Sequence, residues 1–150
     1  MKVVRLLVSV MFVASLAVGC SGSSPAPTSP SSADSSLDLT VSQFPGTWNL
    51  VSIQPAGEAE QARPSGASYT VTFADGRLST RADCNTCSGT YTLTGQTLVA
   101  SPLLACTRAA CATMPFENDY TGLLAGESTV SLTGDTLVLA SPRGVLRFTR

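Results

Sequence analysis

Between residues 44 and 150, apolar and polar side chains alternate in short runs separated by turns that contain glycine. A period of two is the signature of a half-buried strand. Tyr69-Thr70-Val71-Thr72-Phe73 sets its large apolar side chains at every second position, and Arg77-Leu78-Ser79-Thr80-Arg81 returns after Asp75-Gly76. That pair is the strongest short hairpin signal, because both positions tolerate positive φ. The same alternation predicts strands near residues 48–53, 89–93, 97–100, 129–132, 136–139 and 145–148. Leu93-Thr94-Gly95-Gln96-Thr97-Leu98-Val99 is echoed by Leu132-Thr133-Gly134-Asp135-Thr136-Leu137-Val138, which reads either as two hairpins with the same turn chemistry or as an ancient duplication.

One stretch changes period. Phe116, Tyr120, Leu123 and Leu124 stand at i, i+4, i+7 and i+8, a single apolar stripe on a helix. Pro115 suits its first turn, Glu117 and Asp119 its positive end, and Gly126 its C-terminus. The prediction is a mainly β fold of about eight strands, with one helix between the fifth and sixth. Antiparallel hairpins in this order build a small open barrel or strongly curved sheet, the helix covering a mouth or an edge.

The start of the chain has a different pattern. Lys2 and Arg5 precede an apolar run from Leu6 to Gly19. A membrane-spanning helix needs about 20 apolar residues, so this run has the length of a secretory signal instead. It ends in Leu16-Ala17-Val18-Gly19-Cys20, which resembles the lipobox of bacterial lipoproteins. The resemblance implies a diacylglycerol on Cys20 and cleavage before it. From Ser21 to Gln43 the chain is mostly Ser, Pro, Ala, Thr and Asp, a composition that cannot bury enough apolar surface to order itself. The expected organisation is a signal peptide at 1–19, a lipidated cysteine and tether at 20–43, and one β-domain at 44–150. The domain would face the periplasm or the exterior from the cell membrane or outer membrane. Ser21 after the cysteine resembles outer-membrane sorting.

Charge narrows the partners. The chain has 9 Lys and Arg against 10 Asp and Glu; without Lys2 and Arg5 the balance is 7 against 10, or −3. The remaining arginines are scattered and little interleaved with aromatic residues, which argues against nucleic-acid binding. Histidine is absent and lysine occurs only at position 2, so Ser-His-Asp, Cys-His and Ser-Lys catalysis and histidine-ligated metal have no residues to use. Asp75, Asp83, Glu117 and Asp119 read as turn, strand-end and helix-start residues. The expectation is a monomer that is not an enzyme, with no catalytic residues, cofactor or metal.

Once Cys20 is assigned to lipid, Cys84, Cys87, Cys106 and Cys111 remain, in the pattern C-x2-C-x18-C-x4-C. That approaches a zinc-ribbon spacing. An exported chain, however, meets conditions in which paired cysteines oxidise, so two disulfides are the expected state. Cys84-Asn85-Thr86-Cys87 is placed between strands, unlike a redox-active pair at a helix start. Four cysteines allow three connectivities, and spacing does not choose among them.

Three further residues are candidate binding residues, each with a structural alternative. Asn85 suits an Asx-turn or left-handed position, or else a ligand contact. Arg108 suits a buried ion pair with Asp83 or Glu117, or else projection into a groove. Trp48 suits a plug at the barrel base, or else the floor of a ligand cup.

The ordered set Gly46-Thr47-Trp48-Asn49-Leu50, Thr72-Phe73-Ala74-Asp75-Gly76-Arg77-Leu78, Asp83-Cys84-Asn85, Ser88-Gly89-Thr90-Tyr91 and Cys106-Thr107-Arg108-Ala109-Ala110-Cys111 resembles the META domain, the HslJ-like family. The resemblance continues through Glu117, Tyr120, Leu123-Leu124 and Gly134-Asp135-Thr136-Leu137. It implies a small β-rich envelope domain with no assigned enzymatic activity, linked to stress resistance. It also implies pairing of Cys84 with Cys111, which leaves Cys87 for Cys106. The chain departs from the simplest family pattern in carrying Cys87 and Cys106, and in Asp83 where glycine is common. The functional expectation is an envelope lipoprotein acting as a binding or interaction module. The alternatives are a lipocalin-like carrier of a small apolar ligand, or an anchored inhibitor of an extracellular hydrolase. Its partners would be the membrane, through the lipid on Cys20, and an envelope protein or a small apolar ligand.

Overall fold

The computed structural model describes residues 42–150, so the signal segment, Cys20 and residues 21–41 lie outside the described residues. Each predicted run forms a strand. The strands are β1 (Gly46–Pro55), β2 (Gln61–Ala62), β3 (Tyr69–Ala74), β4 (Arg77–Ala82), β5 (Asn85–Thr94), β6 (Thr97–Ala100), β7 (Ala105–Cys106), β8 (Gly126–Thr133), β9 (Thr136–Ser141) and β10 (Gly144–Thr149). The helix, α1 (Met114–Leu124), follows β7. Asp75 and Gly76 make the β3–β4 turn with φ of 49° and 72°, the left-handed pair that a tight hairpin needs.

Neighbouring strands pair antiparallel in the order β1-β3-β4-β5-β6-β8-β9-β10, and β10 pairs again with β1. The sheet is therefore a closed eight-stranded barrel, with β2 added to β1 and β7 added to β5. Closure comes from the length of β1. Its first half pairs with β3 through Gly46–Asn49, and Asn49–Pro55 pairs with β10. A register shift between Leu50 and Ser52 leaves Val51 as an extra, half-exposed residue, the bulge that bends a strand around a barrel. Gly144 lets β10 approach the end of β1, where a Cβ would overlap the carbonyl oxygen of Gln54.

The inward side chains fill the barrel. Trp48, Tyr69, Phe73, Leu78, Leu137 and Phe148 are all fully or almost fully buried. Phe44 packs against Phe73 with ring centroids 4.4 Å apart. α1 covers the opposite end and contributes Tyr120, which is completely buried. Its ring meets the edges of Tyr69 and Phe148, at 5.3 and 6.4 Å. Its hydroxyl lies 2.7 Å from Thr80 Oγ1. The helix ends at Ala125 in extended conformation, and Gly126 follows at φ 78°, as the glycine signal predicts.

The structure corrects the placement of the first cysteine pair. β5 begins at Asn85, not at Gly89, so Asn85 and Cys87 lie on a strand and Ala82 pairs with Asn85 in register. The left-handed residue of this turn is Asp83, at φ 54°, while Asn85 has no positive φ. Glycine would adopt that conformation without strain.

Candidate functional site

β5 opens with an asparagine whose side chain is 1% exposed. Its Oδ1 accepts from the Ala109 amide at 2.8 Å and from Thr107 Oγ1 at 2.9 Å. Its Nδ2 faces the Ala109 carbonyl at 3.0 Å, the two Glu117 oxygens at 3.0 and 3.1 Å, and Cys111 Sγ at 3.2 Å. An amide offers two donors and one acceptor oxygen, and all are in use. Asn85 is thus neither a turn residue nor an exposed contact. It clamps the segment after β7 to the start of α1.

Two disulfides hold the same segment. Cys84 is bonded to Cys111, with Cα atoms 5.9 Å apart, and Cys87 to Cys106, with Cα atoms 4.0 Å apart. This is the pairing that the family resemblance implies. Cys87 and Cys106 face each other across β5 and β7, and the Thr107 amide donates to the Thr86 carbonyl beside them. They therefore occupy a non-hydrogen-bonded pair, where side chains approach most closely. A third tether runs from the turn to the helix start. Tyr69 Oη donates to Thr113 Oγ1 at 2.9 Å, and Thr113 Oγ1 donates to Asp83 Oδ2 at 2.7 Å.

Between the stapled segment and α1 lies a groove of about 420 Å³. Asn85 and Glu117 line it together with Leu104 and Met114, and Thr107 and Arg108 belong to its loop side. A second groove of about 260 Å³ shares Leu104, Cys106, Asn118 and Thr121 and extends to Leu103, Gly122 and Arg143. Leu103 is 87% exposed beside it. A Cβ on Gly122 would meet nothing within 4 Å, so this mid-helix glycine leaves the groove open instead of filling it.

The expected ion pair of Arg108 with Asp83 or Glu117 is not formed. Arg108 is exposed on the groove, and the ion pair found among the described residues joins Arg147 to Glu60 at 3.3 Å. Asp83 and Glu117 are met by neutral donors, Thr113 and Asn85. Glu117, read from sequence as a helix-start residue, is 6% exposed. The signal was present: Glu117, Tyr120 and Leu124 stand at i, i+3 and i+7, so Glu117 belongs to the buried stripe.

Trp48 is remote in role from this groove. It is completely buried, its Nε1 donates to the Phe44 carbonyl at 3.0 Å, and the Arg150 guanidinium lies 4.0 Å from its ring centroid. It plugs the barrel. Cys20 lies outside the described residues. Among the described residues no three His, Cys, Asp or Glu side chains come together to hold a metal ion. What remains is a groove lined by Leu104 and Met114, by the buried Glu117 and by the exposed Arg108.

An NMR structure of a protein from Burkholderia xenovorans has a similar fold, with a TM-score of 0.61 and 24% identity, over 85% of this chain and 97% of that one. A second NMR structure has a TM-score of 0.55 and 25% identity, over 69% of this chain and 87% of that one. No curated protein matches the chain significantly. The META-domain profile matches residues 39–150, the whole barrel with its helix and stapled segment. The chain belongs to the META-domain family.

Proposed function

We propose that this META-domain protein is a non-enzymatic lipoprotein of the cell envelope. It is held to the membrane by a lipid on Cys20 and acts as an interaction module in stress resistance. The observation that carries the reading is Leu103, 87% exposed in the connection between β6 and β7 and bordering a groove. A single exposed leucine is ordinary, but one beside an open groove that also contains Leu104 is a surface that gains by being covered. The bridge at Cys106, three residues on, also limits the conformational freedom this loop loses when a partner covers it. A lipocalin-like carrier is less well supported, because Trp48, Phe73 and Phe148 occupy the barrel interior where its ligand would sit.

The test is a photo-crosslinking amino acid at position 103 of the full chain, expressed in cells. A discrete protein adduct is expected, weakened when Cys20→Ala releases the chain from the membrane. Recovery of a bound apolar small molecule by native mass spectrometry, with no adduct, would overturn the interaction reading in favour of a carrier. Capture of a secreted hydrolase would select the inhibitor version. Radiolabelled palmitate should enter the wild-type chain and not Cys20→Ala, and unchanged membrane partitioning of that variant would remove the anchor.

A further inference from the structure

Glu117 brings a carboxylate to the groove with only 6% of the residue exposed. A carboxylate offers about four lone-pair positions. Here one donor nitrogen, Asn85 Nδ2, serves both oxygens, at 3.0 and 3.1 Å, and that nitrogen also faces the Ala109 carbonyl and Cys111 Sγ. Withdrawing a carboxylate from water is costly unless a cation or several hydrogen bonds replace the solvent. Among the described residues no arginine pairs with it. The first turn of α1 supplies only partial positive charge. The unused lone pairs can be met from the groove, whose lining also includes the apolar side chains of Leu104 and Met114.

We propose that this groove binds an ammonium group carried on a short apolar stem. Glu117 is its charge partner, and Leu104 and Met114 receive the stem. The proposal rests on the reading of this face as the interaction surface and names the chemistry that the surface recognises. A volume of about 420 Å³ falls in the range of small-ligand sites, roughly 300–1,000 Å³. The adjoining groove toward Leu103 and Gly122 gives room for a chain attached to the stem. Two sources share this chemistry, a free amine and a lysine side chain of a partner polypeptide. Arg108 beside the groove is a like charge and opposes either.

NMR titration of the isotope-labelled full chain in detergent tests the site. The probes are n-butylammonium, n-butanol as its neutral counterpart, and N-acetyl-Gly-Lys-Gly-amide. Saturable shifts at the Asn85 side-chain amide and at Thr121 are expected with the cations and not with butanol. Glu117→Gln should weaken binding about tenfold, the loss of one charge-assisted contact. Arg108→Ala, on the exposed loop, should tighten it. A tighter peptide than amine assigns the site to a lysine side chain, and the reverse assigns it to a free amine. Equal response to butanol, unchanged affinity in a folded Glu117→Gln, or loss of binding in Arg108→Ala would overturn the proposal. Absence of amine binding while the position-103 adduct still forms removes the ammonium site alone and leaves the interaction reading standing.

Discussion

The side-chain nitrogen of Asn85 lies 3.0 and 3.1 Å from the two carboxylate oxygens of Glu117, joining the first residue of β5 to the first turn of α1. The same asparagine holds Thr107 and Ala109 through its oxygen. Replacing it leaves the buried Glu117 carboxylate without its donor and the Ala109 amide without its acceptor. Each unmet group costs about 1–3 kcal/mol, and a charged one more. Asn85→Ala should therefore lower the urea-derived stability by about 3 kcal/mol. Asn85→Asp, which sets one carboxylate against another, should lower it further. A loss below about 0.5 kcal/mol for Asn85→Ala, the size of an ordinary surface change, would contradict the clamp.

The disulfides are nested, which makes their contributions interdependent. Cys84 and Cys111 are separated by 27 residues, and Cys87 and Cys106, inside that loop, by 19. An isolated bridge closing either loop contributes about 3 kcal/mol by the chain-entropy relation. With one bridge intact, the ends joined by the other are already held near each other in the unfolded chain. Loss of the Cys87–Cys106 bridge alone should then cost about 2 kcal/mol on the same relation, and loss of both more than twice that. Serine replacements compared in one denaturation series would show the non-additivity. Equal and additive losses would mean that the bridges act through the folded state and not through the unfolded chain.

The strands were legible because each buries one face, so a period of two survives in the sequence of β3, β4 and β9. Closure was not legible. It depends on one residue of register, the bulge at Val51, which no local pattern marks. The site divides in the same way. The cysteine pairing came through the family resemblance, whereas Glu117 was hidden because its charge suited a helix start as well as a buried position. Arg108 could not be placed, since Ala109, one residue on, is the position that Asn85 pins. Which side of a pinned loop an arginine takes is decided by that contact.

Asp83 combines a strained backbone with a useful side chain, and substitutions separate the two. At φ 54° it occupies the left-handed region, which costs a residue with a Cβ about 1 kcal/mol. Its carboxylate in turn accepts from Thr113 Oγ1 at 2.7 Å and ties the turn to the start of α1. Asp83→Ala keeps the strain and loses the bond, so a loss of about 1.5 kcal/mol is expected. Asp83→Gly loses the bond and relieves the strain, so it should be more stable than Asp83→Ala by about 1 kcal/mol. Thermal melts of the pair measure the difference directly, and the reverse order would refute the strain.

Alkaline pH should expose the tyrosine buried under the helix. All three tyrosine hydroxyls lie above their ordinary value of 10.0, in each case chiefly because burial disfavours the charged form. Tyr120, completely buried, is shifted furthest, and its hydrogen bond to Thr80 offsets only part of the effect. The sign follows from linkage. A folded-state value above the unfolded one means that, past pH about 10, the unfolded chain has released protons that the folded chain retains. Stability is then fully present below pH about 10 and falls as pH rises. The slope approaches about 1.4 kcal/mol per pH unit for each hydroxyl that stays neutral in the fold. With no histidine in the sequence, the urea midpoint should change little between pH 7 and 9 before that fall. Tyr120→Phe should cost about 1 kcal/mol at pH 7 through the lost bond to Thr80. It should also make the alkaline fall shallower by about one proton. Tyrosinate absorbance followed alongside unfolding checks the assignment: full ionisation of Tyr120 in a chain that is still folded would refute it.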